Sequence, residues 1–406
     1  MNENKKNIGL LLRDFNIIGG IERVASTLSF GLSEYFNIFV IVYSDKNRAF
    51  DHSGKLIVLK GSNGYRLTRF FNKIFSLRKI IKENNLYSVI SFGEHSNFLN
   101  IISKSSNKAI LTIHSYKSKE ESERGDIRGF INKILIKFLY NKSDRIITVS
   151  EALKDDLSAS FKIKPSKITP VYNPFDIVKI RELSEKGVPK DYLRSGKEIV
   201  LITIGRICDT KAFWHLIRAF SELKKDFPKI RLDIVGEAYL PAEIEVKKKL
   251  TGLINDYKMA SNVIFIDFTP NPYPLLKNAD VFVSSSILEG FGNVIVESMI
   301  CSIPVVFPDC KAGPREIIAP GTGRPKLKNE IEFAEFGILT PVCDGKYRNA
   351  DLPLTKEEKL LADAVKHLLK DSTMHKKYSE KGMIRALDFD SEKIIREYVN
   401  VIEGSH

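Results

Sequence analysis

The chain has 406 residues, 43% of them hydrophobic and 28% charged, and a formal net charge of +13. This is the composition of an ordinary soluble globular protein, and the length exceeds what one core usually supports, so two domains are expected. No apolar run approaches the roughly 18–20 residues that cross a bilayer as a helix, which excludes a membrane-spanning helix. The opening "MNENKKNIGLLLRDF" holds a short apolar core and no small-residue cleavage site, so no signal peptide is expected. Cys208, Cys301, Cys310 and Cys343 lie in no CxxC or metal-ligand spacing, which suits buried thiols in a reducing compartment.

Charge is unevenly placed. Residues 1–180 carry 29 Lys+Arg against 17 Asp+Glu, whereas residues 181–406 carry 34 against 33. The basic first half points to an anionic partner there: a membrane surface, nucleic acid or a phosphorylated substrate.

In chain order, short β-branched runs predict strands at 8–13, 38–43, 55–59, 88–92, 109–114 and 145–150, with helical patterns at 21–35, 66–84, 128–141 and 151–158. The pattern pauses at "ITPVYNPFD" (168–176), where Asn173-Pro174 marks a boundary. It restarts with strands at 199–206, 231–236, 263–268, 281–286 and 303–308. Near-continuous apolar strands alternating with helices predict an α/β protein of two Rossmann-like, doubly wound parallel-sheet domains. The expected domains are 1–173 and 174–390, with a final helix at about 391–404 packing back on the first. Ligands in such sheets sit outside the carboxyl ends of the strands, and the cleft between the two domains is the expected site.

Three strand-end loops carry candidate chemistry. In "RDFNIIGGIERVA", Gly19-Gly20 lets backbone approach a ligand, and the following helix N-terminus favours phosphate; a plain strand-to-helix turn also fits. It is not GxGxxG, which disfavours a dinucleotide oxidoreductase. In "IGRICDTKAFWHLIRAF", Arg206 ends a strand and Lys211 opens the next helix; two converging cations suit a diphosphate, or are two solvated surface charges. In "SSSILEGFGNVIVE", Glu289 precedes Gly290 and Gly292, and Glu297 sits in the second turn of a helix from Asn293. Carboxylates suit diols because each offers two acceptor oxygens. The bland alternative makes Glu289 a surface turn and Glu297 an exposed helix residue.

The run "EGFGNVIVE" resembles the E-x7-E motif of retaining, nucleotide-sugar-dependent GT-B glycosyltransferases of family 4. The resemblance extends in order through "GGIERVA", "VSEAL", "VYNPFD", "LDIVG" and the segment "GPREII". It implies a UDP-, GDP- or ADP-sugar donor held mainly by the second domain and an acceptor held mainly by the first. By position it implies that Arg206 and Lys211 bind the donor diphosphate and that Glu289 meets the sugar hydroxyls. Gly290 and the amides of Phe291, Gly292 and Asn293, with Val294, would line sugar and phosphate. Glu297 would hold the ribose, and Gly19 and Gly20 would approach the diphosphate. His114, ending "AILTIH", matches a histidine near the reacting sugar, and Ser150, ending "RIITVS", a position near the donor pocket.

The family keeps the anomeric configuration, which the resemblance implies is achieved by front-side replacement. No cofactor and no metal are expected; Asp388-Phe389-Asp390 is the sole D-x-D and reads as a helix-entry signal. Residues 55–142 carry 17 Lys+Arg against six acids, and two basic amphipathic stretches lie at 66–82 and 128–142. They point to peripheral attachment at the cytoplasmic leaflet and to a lipid-linked acceptor such as a polyprenyl-diphosphate glycan. Nucleic acid is not expected, since no binding motif for it is present. Two rivals fit the same sequence: a sugar phosphorylase or nucleotide-sugar epimerase of this architecture, and a non-catalytic membrane-docking protein.

Overall fold

The computed structural model describes residues 4–15, 19–45, 50–60, 66–123, 127–188, 192, 196, 198–324 and 329–404. The chain divides into two compact units, Met1–Asp176 with Phe389–His406, and Ile177–Asp388.

The first unit is built on strands β1 (Asn7–Leu12), β2 (Asn37–Val42), β3 (Lys55–Val58), β4 (Leu86–Phe92), β5 (Lys108–Ile113), β6 (Arg145–Thr148) and β7 (Ile168–Pro170). Their order is β3-β2-β1-β4-β5-β6-β7, with every pair parallel. Apolar runs such as "NIFVIV" bury both faces, as a helix-covered parallel sheet requires. Ile8, Leu10 and Val40 face the helices Gly20–Leu32 and Ser391–Glu403 through Leu28, Ile394 and Tyr398. The alternate residues Leu11, Phe39 and Ile41 face the helices Arg66–Glu83 and Glu94–Ser103 through Leu77 and Leu99. Gly31 is what lets the last helix come close, because a Cβ there would collide with the side chain of Ile395.

The second unit holds β8 (Ile199–Ile204), β9 (Ile230–Val235), β10 (Val263–Ile266), β11 (Val281–Val283), β12 (Val305–Pro308), β13 (Glu332–Phe333) and β14 (Ile338–Thr340). The order is β10-β9-β8-β11-β12-β14-β13, parallel except that β13 runs antiparallel to β14. In each sheet the strand order reverses once, between β1 and β4 and between β8 and β11. The loops leaving the carboxyl ends of such a pair flank a natural ligand crevice.

Several expectations shift. The strand expected over 281–286 stops at Val283, because Ser284 and Ser286 bond each other and Ser285 turns to the neighbouring loop. The strand expected over 303–308 is β12 alone, and the strand expected to end at 114 ends at Ile113. The pause at 168–176 contains β7, too short to show a period. The β13–β14 edge breaks the expected all-parallel order. Among the four free thiols, Cys208 is half-buried rather than buried. No helix among the described residues is long and apolar enough to cross a membrane.

A buried polar knot fixes the helix Phe213–Asp226, which follows the β8 loop. Arg218 is fully buried; its Nε donates to Glu358 Oε1 at 2.9 Å, and its Nη atoms reach the carbonyls of Asn349, Leu352 and Pro353. His215 Nδ1 meets the same Glu358 oxygen at 2.7 Å. Burial raises the cost of the Glu358 charge, and its bonds to His215, the Thr355 amide and Arg218 reverse that, leaving its pKa below the usual carboxylate value. Removing the acid strands a buried guanidinium. Glu358→Ala is therefore expected to cost about 3–5 kcal/mol in urea unfolding, against a near-neutral change for the exposed Lys359→Ala.

Candidate functional site

The second unit brings two loops together at its switch point. After β8 the chain forms a 3-10 turn, Asp209–Lys211, closed by the Ala212 amide on the Asp209 carbonyl at 3.1 Å. Lys211 thus lies two residues before the helix it was expected to open. The Ser285 hydroxyl, in the loop after β11, lies 3.0 Å from the Lys211 carbonyl and 3.1 Å from that of Ala212. The Ile287 amide donates to the Thr210 carbonyl at 2.9 Å. These bonds stitch the loops across the sheet.

That stitching sets Lys211 Nζ 2.6 Å from Glu289 Oε1, with the side chains only 20% and 11% exposed. The lysine stem runs over Gly205, where a Cβ would sit 3.1 Å from Lys211 Cε. Burial alone would push the Lys211 pKa down; the Glu289 charge and hydrogen bond outweigh it and hold the pKa above its ordinary value. A cation fixed in its charged form now faces an acceptor-rich carboxylate.

The sequence predicts Arg206 and Lys211 as converging cations, but the structure gives each its own acid. Arg206, half-exposed, has its Nε 3.2 Å from Glu243 Oε1. Glu243 Oε2 meanwhile accepts from the Tyr239 and Leu240 amides at 2.9 and 3.1 Å, at the start of the helix Pro241–Asp256. Glu243 was missed because the usual Ser/Thr partner of an N-terminal glutamate is absent: Leu240 stands there.

Beyond Glu289 the chain dives inward. Gly290 and Phe291 are buried, and Gly292, at φ +95°, caps the helix Asn293–Ile300, with Val294 half-buried on its first turn. Gly313, at φ +90°, packs so tightly on the Phe291 carbonyl that a Cβ would clash with it. Gly236 is packed in the same way on the Gly205 carbonyl. Both glycines stand in quoted motifs, "GPREII" and "LDIVG", whose need for close backbone packing the sequence does not display. Glu297 is only 5% exposed, so it is no surface helix residue.

Gly19 caps and Gly20 begins the helix Gly20–Leu32, with no side-chain cap; the Glu22 carboxylate folds back to where a Gly19 Cβ would stand. His114, just past β5, has Nε2 2.9 Å from Thr112 Oγ1 and its ring 6.0 Å from that of Phe92. Burial first, then the Lys117 charge, lowers the His114 pKa to about 3. Lys117 is itself clamped by Glu94 at 2.8 Å and Glu120 at 2.9 Å. Ser150, fully buried at the head of the helix Glu151–Phe161, does not cap it, and its Oγ has no partner among the described residues.

Asp388 pairs with Arg385 at 2.5 Å, and Asp390 caps the last helix through the Glu392 amide at 2.9 Å. No group of three or more His, Cys, Asp or Glu among the described residues is arranged to hold a metal ion.

The family model for glycosyl transferases group 1 matches residues 186–327, and that for glycosyltransferase family 4 matches residues 18–179. An uncharacterized glycosyltransferase of Methanocaldococcus jannaschii is 33% identical over 351 residues, covering 83% of this chain and 84% of that protein. The Campylobacter jejuni N-acetylgalactosamine-N,N'-diacetylbacillosaminyl-diphospho-undecaprenol 4-alpha-N-acetylgalactosaminyltransferase is 27% identical over 393 residues, 95% of this chain and 96% of that one. HepE of Anabaena, crystallised with UDP and glucose, superposes with a TM-score of 0.78 at 19% identity, covering 98% of this chain and all of that one, and shares the fold.

The His114 geometry has a direct readout. A folded pKa near 3 lies below the roughly 6.5 of a free imidazole, so the unfolded chain binds the extra proton between those values. His114 therefore withdraws stability as pH falls from about 6.5 toward 3 and none above it. Its imidazole nitrogens, followed by NMR from pH 8 to 5, are expected to stay neutral; a midpoint near 6.5 would mean that the ring is not held in this environment.

Proposed function

The chain belongs to the GT-B glycosyltransferases of the family 4 type, and on that premise we propose that it moves a hexosyl or N-acetylhexosaminyl group from a nucleotide-sugar to a glycan hydroxyl, with retention of configuration. The observation that carries this reading is the Lys211–Glu289 pair, set beside the glycine loop Gly290–Gly292 where the second sheet reverses.

A donor diphosphate competes for Lys211 and frees the Glu289 carboxylate to accept from sugar hydroxyls. Arg206 adds a second, forked cation for the diphosphate. The backbone of Gly290, Phe291, Gly292, Asn293 and Val294 lines sugar and phosphate, and Glu297 takes the ribose diol. In the first unit Gly19, Gly20 and Ser150 serve the donor, and neutral His114 offers a hydrogen bond to the reacting sugar. The bond from the anomeric carbon to the diphosphate oxygen breaks first. The acceptor oxygen then attacks the short-lived oxocarbenium-like ion from the same face, and its proton passes to the departing phosphate oxygen. Negative charge accumulates on the diphosphate, where Lys211, largely withdrawn from water, and the half-exposed Arg206 supply positive charge.

A UDP-sugar is the first donor to test, since HepE was crystallised with UDP. The acceptor proposed is a polyprenyl-diphosphate glycan in surface-polysaccharide assembly, the acceptor type named for the Campylobacter relative. The basic first unit would meet it as a peripheral protein on the cytoplasmic face of the membrane.

A thermal-shift and transfer screen across UDP-, GDP- and ADP-sugars, run in excess chelator, is expected to show one stabilising donor and transfer that survives chelation. Dependence on free phosphate would select a phosphorylase instead. Lys211→Ala and Arg206→Ala are each expected to lower turnover by about 100–1,000-fold. Glu289→Gln is expected to lose a comparable factor; unchanged transfer would reduce Glu289 to a partner of Lys211 alone.

A further inference from the structure

The helix Ile127–Leu139 turns its apolar side away from the protein. Among its residues only Gly129 and Ile136 are buried, whereas Ile127, Phe130 and Phe138 are 78%, 66% and 64% exposed, and Ile131 and Ile134 are exposed as well. At about 100° per residue, the five exposed side chains fall in one stripe about 100° wide. Gly129 and Ile136 lie about 150° and about 170° from its centre, on the opposite side of the helix. An ordinary surface helix has the reverse arrangement. Arg128 borders the stripe on one edge and Lys133 and Lys137 on the other; Lys142 follows, and no acid occurs from 127 to 142. The helix Arg66–Glu83 of the same unit repeats the theme: Ile74, Leu77, Ile80 and Ile81 fill the core while Phe71 and Phe75 stay exposed.

We propose that the helix Ile127–Leu139 lies in the interface of an anionic bilayer, its stripe of Ile127, Phe130, Ile131, Ile134 and Phe138 among the acyl chains and its flanking cations at the lipid phosphates. The inference deepens the membrane reading above, on which it rests, by naming the element that inserts. Charge selects the occupant. A second copy would set four cations against four like charges, whereas an anionic headgroup layer complements them and the acyl region removes the stripe from water.

The test is vesicle co-sedimentation of the full chain with mixed phosphatidylglycerol and phosphatidylcholine. Wild type is expected to bind and to stay bound in about 0.5 M NaCl, where screened electrostatic contacts alone would release it. Phe130→Ser/Phe138→Ser touches no core residue, so its melting temperature should hold while its partition in that salt falls about 100-fold. Arg128→Gln/Lys137→Gln should weaken low-salt binding about 30-fold. The proposal is overturned if the phenylalanine pair changes nothing, if salt releases wild type, or if lipid-free wild type is a dimer that the pair dissociates while vesicles are ignored. Calorimetric titration of wild type with UDP-sugars keeps the two readings apart. Failure to bind any nucleotide-sugar removes the transferase reading and leaves the vesicle result standing.

Discussion

The second unit is organised around one constraint: two opposite charges, both largely withdrawn from water, must stay within contact of each other. Neither the Lys211 ammonium nor the Glu289 carboxylate could sit so deep alone, since an unpaired ion there costs several kcal/mol. The surrounding bonds serve that pairing. Ser285 and Ile287 anchor the β11 loop to the β8 turn, Gly205 leaves room for the lysine stem, and Gly236 and Gly313 let neighbouring backbone close in from both sides. The pair keeps the two loops preassembled, so that in the reading proposed above an incoming diphosphate would meet a cation already aimed and already charged. Little of its binding free energy then goes into ordering side chains.

The same logic recurs in the first unit with different residues. Lys117, between Glu94 and Glu120, is a buried cation held by two acids, and its field helps to keep His114 neutral. A neutral imidazole can donate or accept one hydrogen bond, and in the mechanism proposed above it would do so without bringing a charge next to a developing cation. Both units thus place their ionisable groups at the carboxyl ends of parallel strands, where no sheet hydrogen bonds compete for them.

The sheets were legible because buried parallel strands are written as continuous β-branched runs. Six strands of the first unit and five of the second follow from such segments as "IFVIVY" and "IVLITIGR" almost directly. Short elements were not legible: β7, β13 and β14 have two or three residues and show no period. In the candidate site, Lys211, Arg206 and Glu289 stand out by residue type at strand ends, but their pairings do not. Nothing local says that Lys211 meets a residue 78 positions away, or that Arg206 meets Glu243 rather than Lys211's partner. Ser285 reads as strand because the serines 284–286 directly continue the apolar run Val281–Val283; only the fold shows its hydroxyl holding two carbonyls. The orientation of the helix Ile127–Leu139 was equally hidden, since a hydrophobic stripe reads the same whether it faces the core or the solvent.

The return of Ser391–Glu403 to the first unit bears on how the chain is made. Ile394, Ile395, Tyr398, Val401 and Ile402 complete the cluster begun by Ile8 and Leu10, yet they are translated only after the whole of residues 177–388. Residues 177–388 form an unbroken stretch that can fold while synthesis continues, whereas the unit translated first waits with an uncovered apolar face. The usual vectorial order, amino-terminal part first, is inverted for this protein. Its nascent form is most exposed to misassociation until residues 391–403 have emerged.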